Sequence, residues 1–267
     1  MKEGAALLMD RYTEIDEVIA YIHRHLDEPL PLSRLANHVA YSQYHFARIF
    51  KERIGLPPLY YVSTMRLQRA KDLLLRTNMS VRDIGLEIGQ QSLGTFSTRF
   101  TERVGVSPSE FRETAQLAED RLRSLQQLTE WTRLHPAPER PMTIAGTIES
   151  TEPFQGVILI GLFAKPIPEG LPLYGTLLPS QGNFCFTNVK PGTYYLMATS
   201  VAWGMQAMDF LLPYETLRTR SKKPIIVTPT TIVPHQQVTL HVPHPDDPPI
   251  LISLSLLMNR FIQRLPQ

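Results

Sequence analysis

Apolar residues recur at three- and four-residue steps through the first 113 positions and in short alternating runs beyond residue 142. The hydrophobic pattern alone therefore divides the chain into a helical part and a β-rich part. Tyr12, Ile15, Val18, Ile19, Ile22 and Leu26 trace one helical stripe, which ends where Asp27, Glu28 and Pro29 break it. Leu32, Leu35 and Val39 mark a short second helix, and Val81, Ile84 and Ile88 mark another. Between them Pro57 and Pro58 open a longer helix carrying Leu59, Val62, Met65, Leu67, Ala70, Leu73 and Leu74. From 114 to 134 the pattern stays helical but more polar, with Leu117, Leu122, Leu125, Leu128 and Trp131 as its apolar positions. It reads as a connector helix; three-residue steps alone do not make a heptad seam, so a dimerising role stays open. The prolines between His135 and Pro141 end it.

Beyond that boundary Thr143 to Ile148, Gly156 to Phe163, Asn183 to Val189, Thr193 to Thr199, Ile225 to Val227, Val238 to Val242 and Ile250 to Leu254 are predicted strands, separated by Gly and Pro turns. Phe184 alternates with Phe186, and Tyr194 with Leu196, which puts these side chains on one face. The expected fold class is multi-domain: an all-α domain at 1–113, a connector at 114–141, and an all-β antiparallel sandwich at 142–267. Helical spacing returns from Ser255 to Leu265.

Within the helical part the chain repeats itself. Ser42, Phe46, Phe50, Glu52, Arg53, Ile54, Gly55 and Pro58 recur fifty residues later as Ser92, Phe96, Phe100, Glu102, Arg103, Val104, Gly105 and Pro108. Each copy carries a helix with its limits written in. The Ser oxygen suits an N-cap, the two Phe share a face, and the Gly suits a stop where φ is positive. Each is preceded by a short apolar helix, so each copy is a helix-turn-helix, and two copies imply two elements able to enter a major groove. Ser80 with Asp83 resembles a capping box, and Ser107, Pro108 and Glu110 supply cap, first-turn proline and capping glutamate in order.

On the helix after Ser42, Phe46, Ile49 and Phe50 belong to the core stripe, leaving Gln43, Tyr44, Ala47, Arg48 and Lys51 facing away. Arg48 can donate two hydrogen bonds to a guanine edge, worth roughly 1–3 kcal/mol of discrimination. Tyr44 suits a thymine methyl or a phosphate, and Lys51 a phosphate. The second helix offers Leu93, Gly94, Ser97 and Thr98, with Gln90 and Gln91 in the turn before it and Arg99 placed for the backbone. Gly94 costs a helix interior about 1 kcal/mol, but near the first turn it lets amides approach a phosphate. Most direct base readout is expected from the first helix.

Composition works mainly by exclusion. A formal charge of +2 over 267 residues does not announce nucleic acid, so any DNA surface must come from where the basic side chains point. A lone Cys185 removes disulfide frameworks and cysteine zinc sites, and the eight histidines show no ligand spacing, so no metal or cofactor is expected. Met1 to Asp10 is too short and weakly apolar for a signal peptide, and Ile250 to Met258 falls short of a membrane helix. A reduced cytoplasm is the expected compartment, with no membrane partner. No Ser/His/Asp group or carboxylate pair stands out, so no catalytic residue is assigned and no enzyme is expected. Trp203, Met205, Met208 and Phe210 form an apolar stretch that suits a ligand pocket, a sandwich core or a subunit interface equally well.

The run from Leu35-Ala36 through Ser42-x-x-x-Phe46-x-Arg48-x-Phe50-Lys51 to Gly55, then Arg66-Leu67-x-x-Ala70-x-x-Leu73-Leu74, resembles the DNA-binding domain of AraC/XylS-family transcription regulators. So does Ile84 through Ser92-x-x-x-Phe96-x-x-x-Phe100 to Gly105-x-x-Pro108-x-x-Phe111-Arg112. The resemblance covers about residues 10 to 113. It implies seven helices, with two recognition helices entering adjacent major grooves of bent double-stranded DNA. It also implies RNA polymerase as a partner of an activator. By family position Tyr44, Ala47, Arg48 and Lys51 align with contacts of the first helix, and Leu93, Gly94, Ser97 and Thr98 with those of the second. Gln90 stands where the family usually has an aromatic, and Thr98 where a basic residue is common.

Family members usually carry this domain behind a sensory domain; here it comes first. The later part resembles a prealbumin-like or carboxypeptidase-regulatory-like β-sandwich, on Gly146-Thr-Ile148 and Gly182-x-Phe184-x-Phe186-x-x-Val189-x-Pro191-Gly192-x-Tyr194-x-Leu196-x-Ala198. That signature specifies fold better than activity. The expected protein is a sequence-specific regulator modulated through the sandwich by a small-molecule effector or by homodimerisation, as activator or repressor. Two alternatives stand beside it. An architectural DNA binder is opposed by Arg48 and the two-reader arrangement. A transthyretin-like hydrolase is opposed because that family's catalytic His and Arg positions and its C-terminal tail find no match. Alkyltransferase-fused relatives of the AraC type need reactive cysteines, and Cys185 lies on a predicted strand between two Phe.

Overall fold

A computed structural model describes residues 2–90, 92–128, 141–221 and 223–264, with side chains from residue 13 onward. The side chain of Tyr12, Gln91, Trp131, the proline segment from 135 to 140, and Leu265 lie outside the described residues. The chain forms two compact units, Met1–Thr98 with His244–Pro249, and Arg99–Pro243 with Ile250–Gln267.

In the first unit α1 (Lys2–Arg24) is followed by α2 (Leu32–His38), α3 (Gln43–Ile54), α4 (Pro58–Arg76), α5 (Val81–Glu87) and the start of α6 (Leu93–Val104). The predicted stripe of α1 is buried at Ile15, Val18, Ile19 and Ile22, together with Leu35, Phe46, Phe50, Ile54, Tyr61, Leu67 and Leu74. Each such side chain contributes roughly 1.5–3 kcal/mol of burial. Phe50 meets Tyr61 edge to face with ring centroids 5.5 Å apart. Arg66 secures the turn after α1, donating from Nε to the Leu26 carbonyl at 3.0 Å and from Nη2 to the Glu28 carbonyl at 2.6 Å. The turn between α2 and α3 needs one left-handed residue; Ala40 takes φ 54°, where the second copy has Gly89 at 76°. The Tyr41 hydroxyl beside that turn donates to Glu14 on α1.

The second unit carries the end of α6, then α7 (Pro108–Gln126), β1 (Ile144–Ser150), β2 (Gly156–Phe163), β3 (Tyr174–Leu178), β4 (Gly182–Phe186), β5 (Gly192–Ala202), α8 (Ala207–Leu211), β6 (Arg218–Arg220), β7 (Ile225–Val227), β8 (Gln236–Leu240) and α9 (Leu254–Ile262). The helix opened at Ser107 does not stop at residue 113. Its capping box is complete, the Ser107 side chain accepting from the Glu110 amide and the Glu110 carboxylate from the Ser107 amide, and it continues to Gln126. Its inner face buries Phe111, Ala118, Leu122 and Leu125, and it packs against α8 and α9. Phe111 meets Phe100 edge to face at 5.7 Å, the counterpart fifty residues on of the Phe50 and Tyr61 pair.

One sheet has strand order β4-β1-β8, the other β3-β2-β5-β6 with β7 paired to β5, and neither closes on itself. Ile144 and Ile148 of β1, Phe184 and Phe186 of β4, Val238 and Leu240 of β8, Ile158 and Leu162 of β2 and Leu196 of β5 share one buried cluster. Two expectations are corrected. The pairing is not wholly antiparallel, because β1 and β8 run parallel, Ile148 opposite Val238. Side-chain alternation has period two in either direction and carries no sign of strand polarity. Ile250 to Leu254 is not a strand: the Leu251 and Ile252 amides both donate to the Pro168 carbonyl, at 3.0 and 3.1 Å, and Ser253 caps α9, accepting from the Leu256 amide.

Candidate nucleic-acid interface

The two helices that follow the turns, α3 and α6, are limited by the same devices. Ser42 starts α3, its side chain accepting from the His45 amide at 3.3 Å, and Gly55 ends it at φ 81°, its amide donating to the Lys51 carbonyl at 2.8 Å. Ser92 accepts from the Thr95 amide at 3.5 Å, and Gly105 ends α6 at φ 90°, donating to the Thr101 carbonyl at 2.9 Å. Gly85 lets the second pair of helices close up, since a Cβ there would stand 3.3 Å from the Phe96 ring.

With Phe46, Ile49 and Phe50 buried, α3 turns Gln43, Tyr44, Arg48 and Lys51 to solvent, and Ala47 is half-buried among them. Tyr44 is 83% exposed, an unusual position for a large aromatic. Arg48 is not idle: its Nη1 donates to Glu52 Oε1 at 3.0 Å, and its Nη2 lies 3.5 Å from His45 Nδ1. Glu52 therefore competes for the guanidinium, a feature that the outward-face reading of α3 passed over although the i,i+4 spacing signals it.

On α6, Leu93, Gly94, Thr98 and Arg99 are exposed, Ser97 is half-buried, and Gln90 is half-buried in the preceding turn. A Cβ on Gly94 would meet nothing nearer than Ser92 Oγ at 4.0 Å, so the first turn is open to an approaching group. An acidic groove of about 450 Å³ is lined by Asp27, Met79, Asp83, Leu86 and Glu87, and its three carboxylates would repel a polyanion.

Of the apolar ligand candidates, Phe210 is a core side chain of α8, fully buried. Trp203, Met205 and Met208 are half-buried. The Trp203 amide donates to the Gln155 carbonyl at 2.8 Å, and Gly204 at φ 87° turns the chain towards α8. Among the described residues, no group of three His, Cys, Asp or Glu side chains is arranged to hold a metal ion, and no helix is long and apolar enough to cross a membrane.

Two capped helices, each set on a short partner helix and each presenting a polar outer face, define a double helix-turn-helix domain. A helix-turn-helix domain family model matches residues 35–114. Over 98 residues the chain is 34% identical to the HTH-type transcriptional activator AarP of Providencia stuartii, covering 37% of this chain and 73% of that protein. It is 34% identical over 96 residues to the HTH-type transcriptional regulator YobQ of Bacillus subtilis, covering 36% of this chain and 40% of that one. It is 31% identical over 105 residues to the bifunctional transcriptional activator/DNA repair enzyme AdaA of B. subtilis, covering 39% and 50%. The chain thus spans half or less of the length of the last two. It belongs to the AraC-type helix-turn-helix transcriptional regulators.

Proposed function

We propose that this chain is a sequence-specific regulator of transcription that inserts α3 and α6 into adjacent major grooves of double-stranded DNA. The observation that carries the reading is the outer face of α3, where Gln43, Tyr44, Arg48 and Lys51 stand exposed on a helix whose other face is core. Arg48 supplies bidentate base readout, and Lys51 and Arg99 supply phosphate contact. Leu93, Gly94, Ser97 and Thr98 contribute register and methyl contacts.

The region from residue 142 onward is taken as a β-sandwich of the prealbumin-like kind with a sensory or dimerising role, its two sheets sharing one apolar cluster. A small effector held near Trp203, Met205 and Met208, a homodimer, and RNA polymerase as the partner of an activator complete the reading, in a cytoplasmic compartment.

Selection of duplexes by the whole chain from a random pool tests it. A motif of two half-sites about one helical turn, roughly 10 bp, apart is expected. Retention of DNA with no enriched motif would favour an architectural binder.

A further inference from the structure

We propose that the strand-bearing part of the chain positions the second recognition helix, through the segment Pro166–Gly170 acting on the C-terminal turn of α6. This rests on the reading of α6 as a DNA reader and adds what holds it. The last residues of α6, from Arg99 to Val104, belong to the same compact unit as both sheets.

The last carbonyls of a helix have no partner within it. In α6 two of them are taken by amides from far along the chain. Gly170 donates to the Arg103 carbonyl at 2.6 Å, and Ser253 donates to the Val104 carbonyl at 2.9 Å. Side chains repeat the attachment. Arg103 Nε lies 3.7 Å from Glu169 Oε2, and the Glu169 side chain is only 6% exposed. Lys165 holds the other carboxylate oxygen at 3.0 Å. In the first copy the equivalent arginine, Arg53, reaches Asp16 on α1 at 3.5 Å and Asp246 at 3.9 Å. The repeat has kept the arginine and changed what it grips.

Two glycines allow the close approach. A Cβ on Gly105 would stand 2.8 Å from Leu256 Cδ2 and 2.9 Å from Ile252 Cδ1. At Gly170, φ is +61° and a Cβ would stand 3.0 Å from the Glu102 carbonyl. Behind the contact the segment is anchored at two points. Arg220 on β6 donates to the Pro166 carbonyl at 3.1 Å, and the Pro168 carbonyl receives the Leu251 and Ile252 amides. Glu169 and Gly170 are thus positioning residues for α6: a shift of their segment moves the groups that end the helix.

The test uses the full chain with Glu169→Gln, Glu169→Asp and Gly170→Ala, on a duplex selected by the unchanged protein. Hydroxyl-radical footprints are expected to keep the half-site read by α3 while Glu169→Gln and Gly170→Ala weaken the other at least tenfold, with Glu169→Asp partly restored. Amide exchange in the DNA-free protein gives a second readout. In Glu169→Gln the amides of residues 101–105 should exchange at least tenfold faster, and those of 51–55 at the unchanged rate. Equal weakening of both half-sites, or exchange that is unchanged or raised equally at both helix ends, would overturn the proposal. Failure of the unchanged protein to select any duplex would strike the regulator reading instead, and the exchange comparison would still decide this one.

Discussion

Arg48 and Glu52 face each other one turn apart on the outer side of α3, with Nη1 donating to Oε1 at 3.0 Å. Both side chains are about half exposed, 46% and 60%. Exposed pairs of this kind are worth about 0–1 kcal/mol, so Glu52 restrains the arginine only weakly. The cost to DNA binding is the larger effect, because a carboxylate next to a phosphate backbone repels it. Glu52→Gln should therefore tighten DNA binding, by up to roughly fivefold, in fluorescence anisotropy at fixed salt. Weaker binding would mean that Glu52 orients Arg48 productively instead of competing for it.

Ala40 and Gly89 occupy the same place in the two helix-turn-helix turns, yet only the glycine is at ease at positive φ. A left-handed alanine costs about 1–2 kcal/mol, partly offset by the lower entropy of its unfolded chain. Ala40→Gly is expected to stabilise the protein by about 0.5–1 kcal/mol in urea unfolding, with DNA affinity unchanged. A destabilised variant would contradict the strain.

Much of this architecture is legible in the chain because it is written twice. The N-cap serines, the Phe pairs and the closing glycines at 55 and 105 each have a local physical cause, and the fifty-residue offset makes each copy a check on the other. What escaped was non-local or too short to show a period. β6 is Arg-Thr-Arg, three polar residues paired with the middle of β5. β3 begins beside a Pro- and Gly-rich segment, and α8 is a five-residue helix. The run from Ile250 to Ser253 is buried at every position, which reads as a central strand until its amides are found on the Pro168 carbonyl. At the candidate interface the helical spacing after Ser42 puts Arg48 on the outer face, but only geometry reveals that Arg66 fastens the α1 turn and that the end of α6 is gripped by residues 169, 170 and 253.

Lys71 on α4 is fully buried, and burial pushes its ammonium down to about 7 from its ordinary 10.5. With the folded value depressed, the unfolded chain binds more protons between pH 7 and 10.5, so this group makes stability rise with pH across that window. Lys71→Met should remove the rise and be more stable than wild type at pH 6, read from thermal midpoints between pH 6 and 9.5. A variant with an unchanged pH profile would show that Lys71 does not titrate there.

Ser107 and Glu110 close a reciprocal cap at the start of α7, the helix whose Phe111 packs on Phe100 of α6. Ser107→Ala should cost about 1 kcal/mol of stability, seen as a lower urea midpoint at unchanged slope. No change would mean that packing of α7 against α8 and α9 alone sets its start.

The most direct test of the regulator reading is the binding of wild type and Arg48→Ala, side by side at fixed salt, to a selected duplex and to unrelated DNA. The expected result is a preference for the selected duplex that falls roughly 5- to 150-fold in Arg48→Ala, with binding to unrelated DNA changed far less. Equal weak binding of wild type to both DNAs, unaltered by the substitution, would contradict the assignment of α3 as a sequence reader.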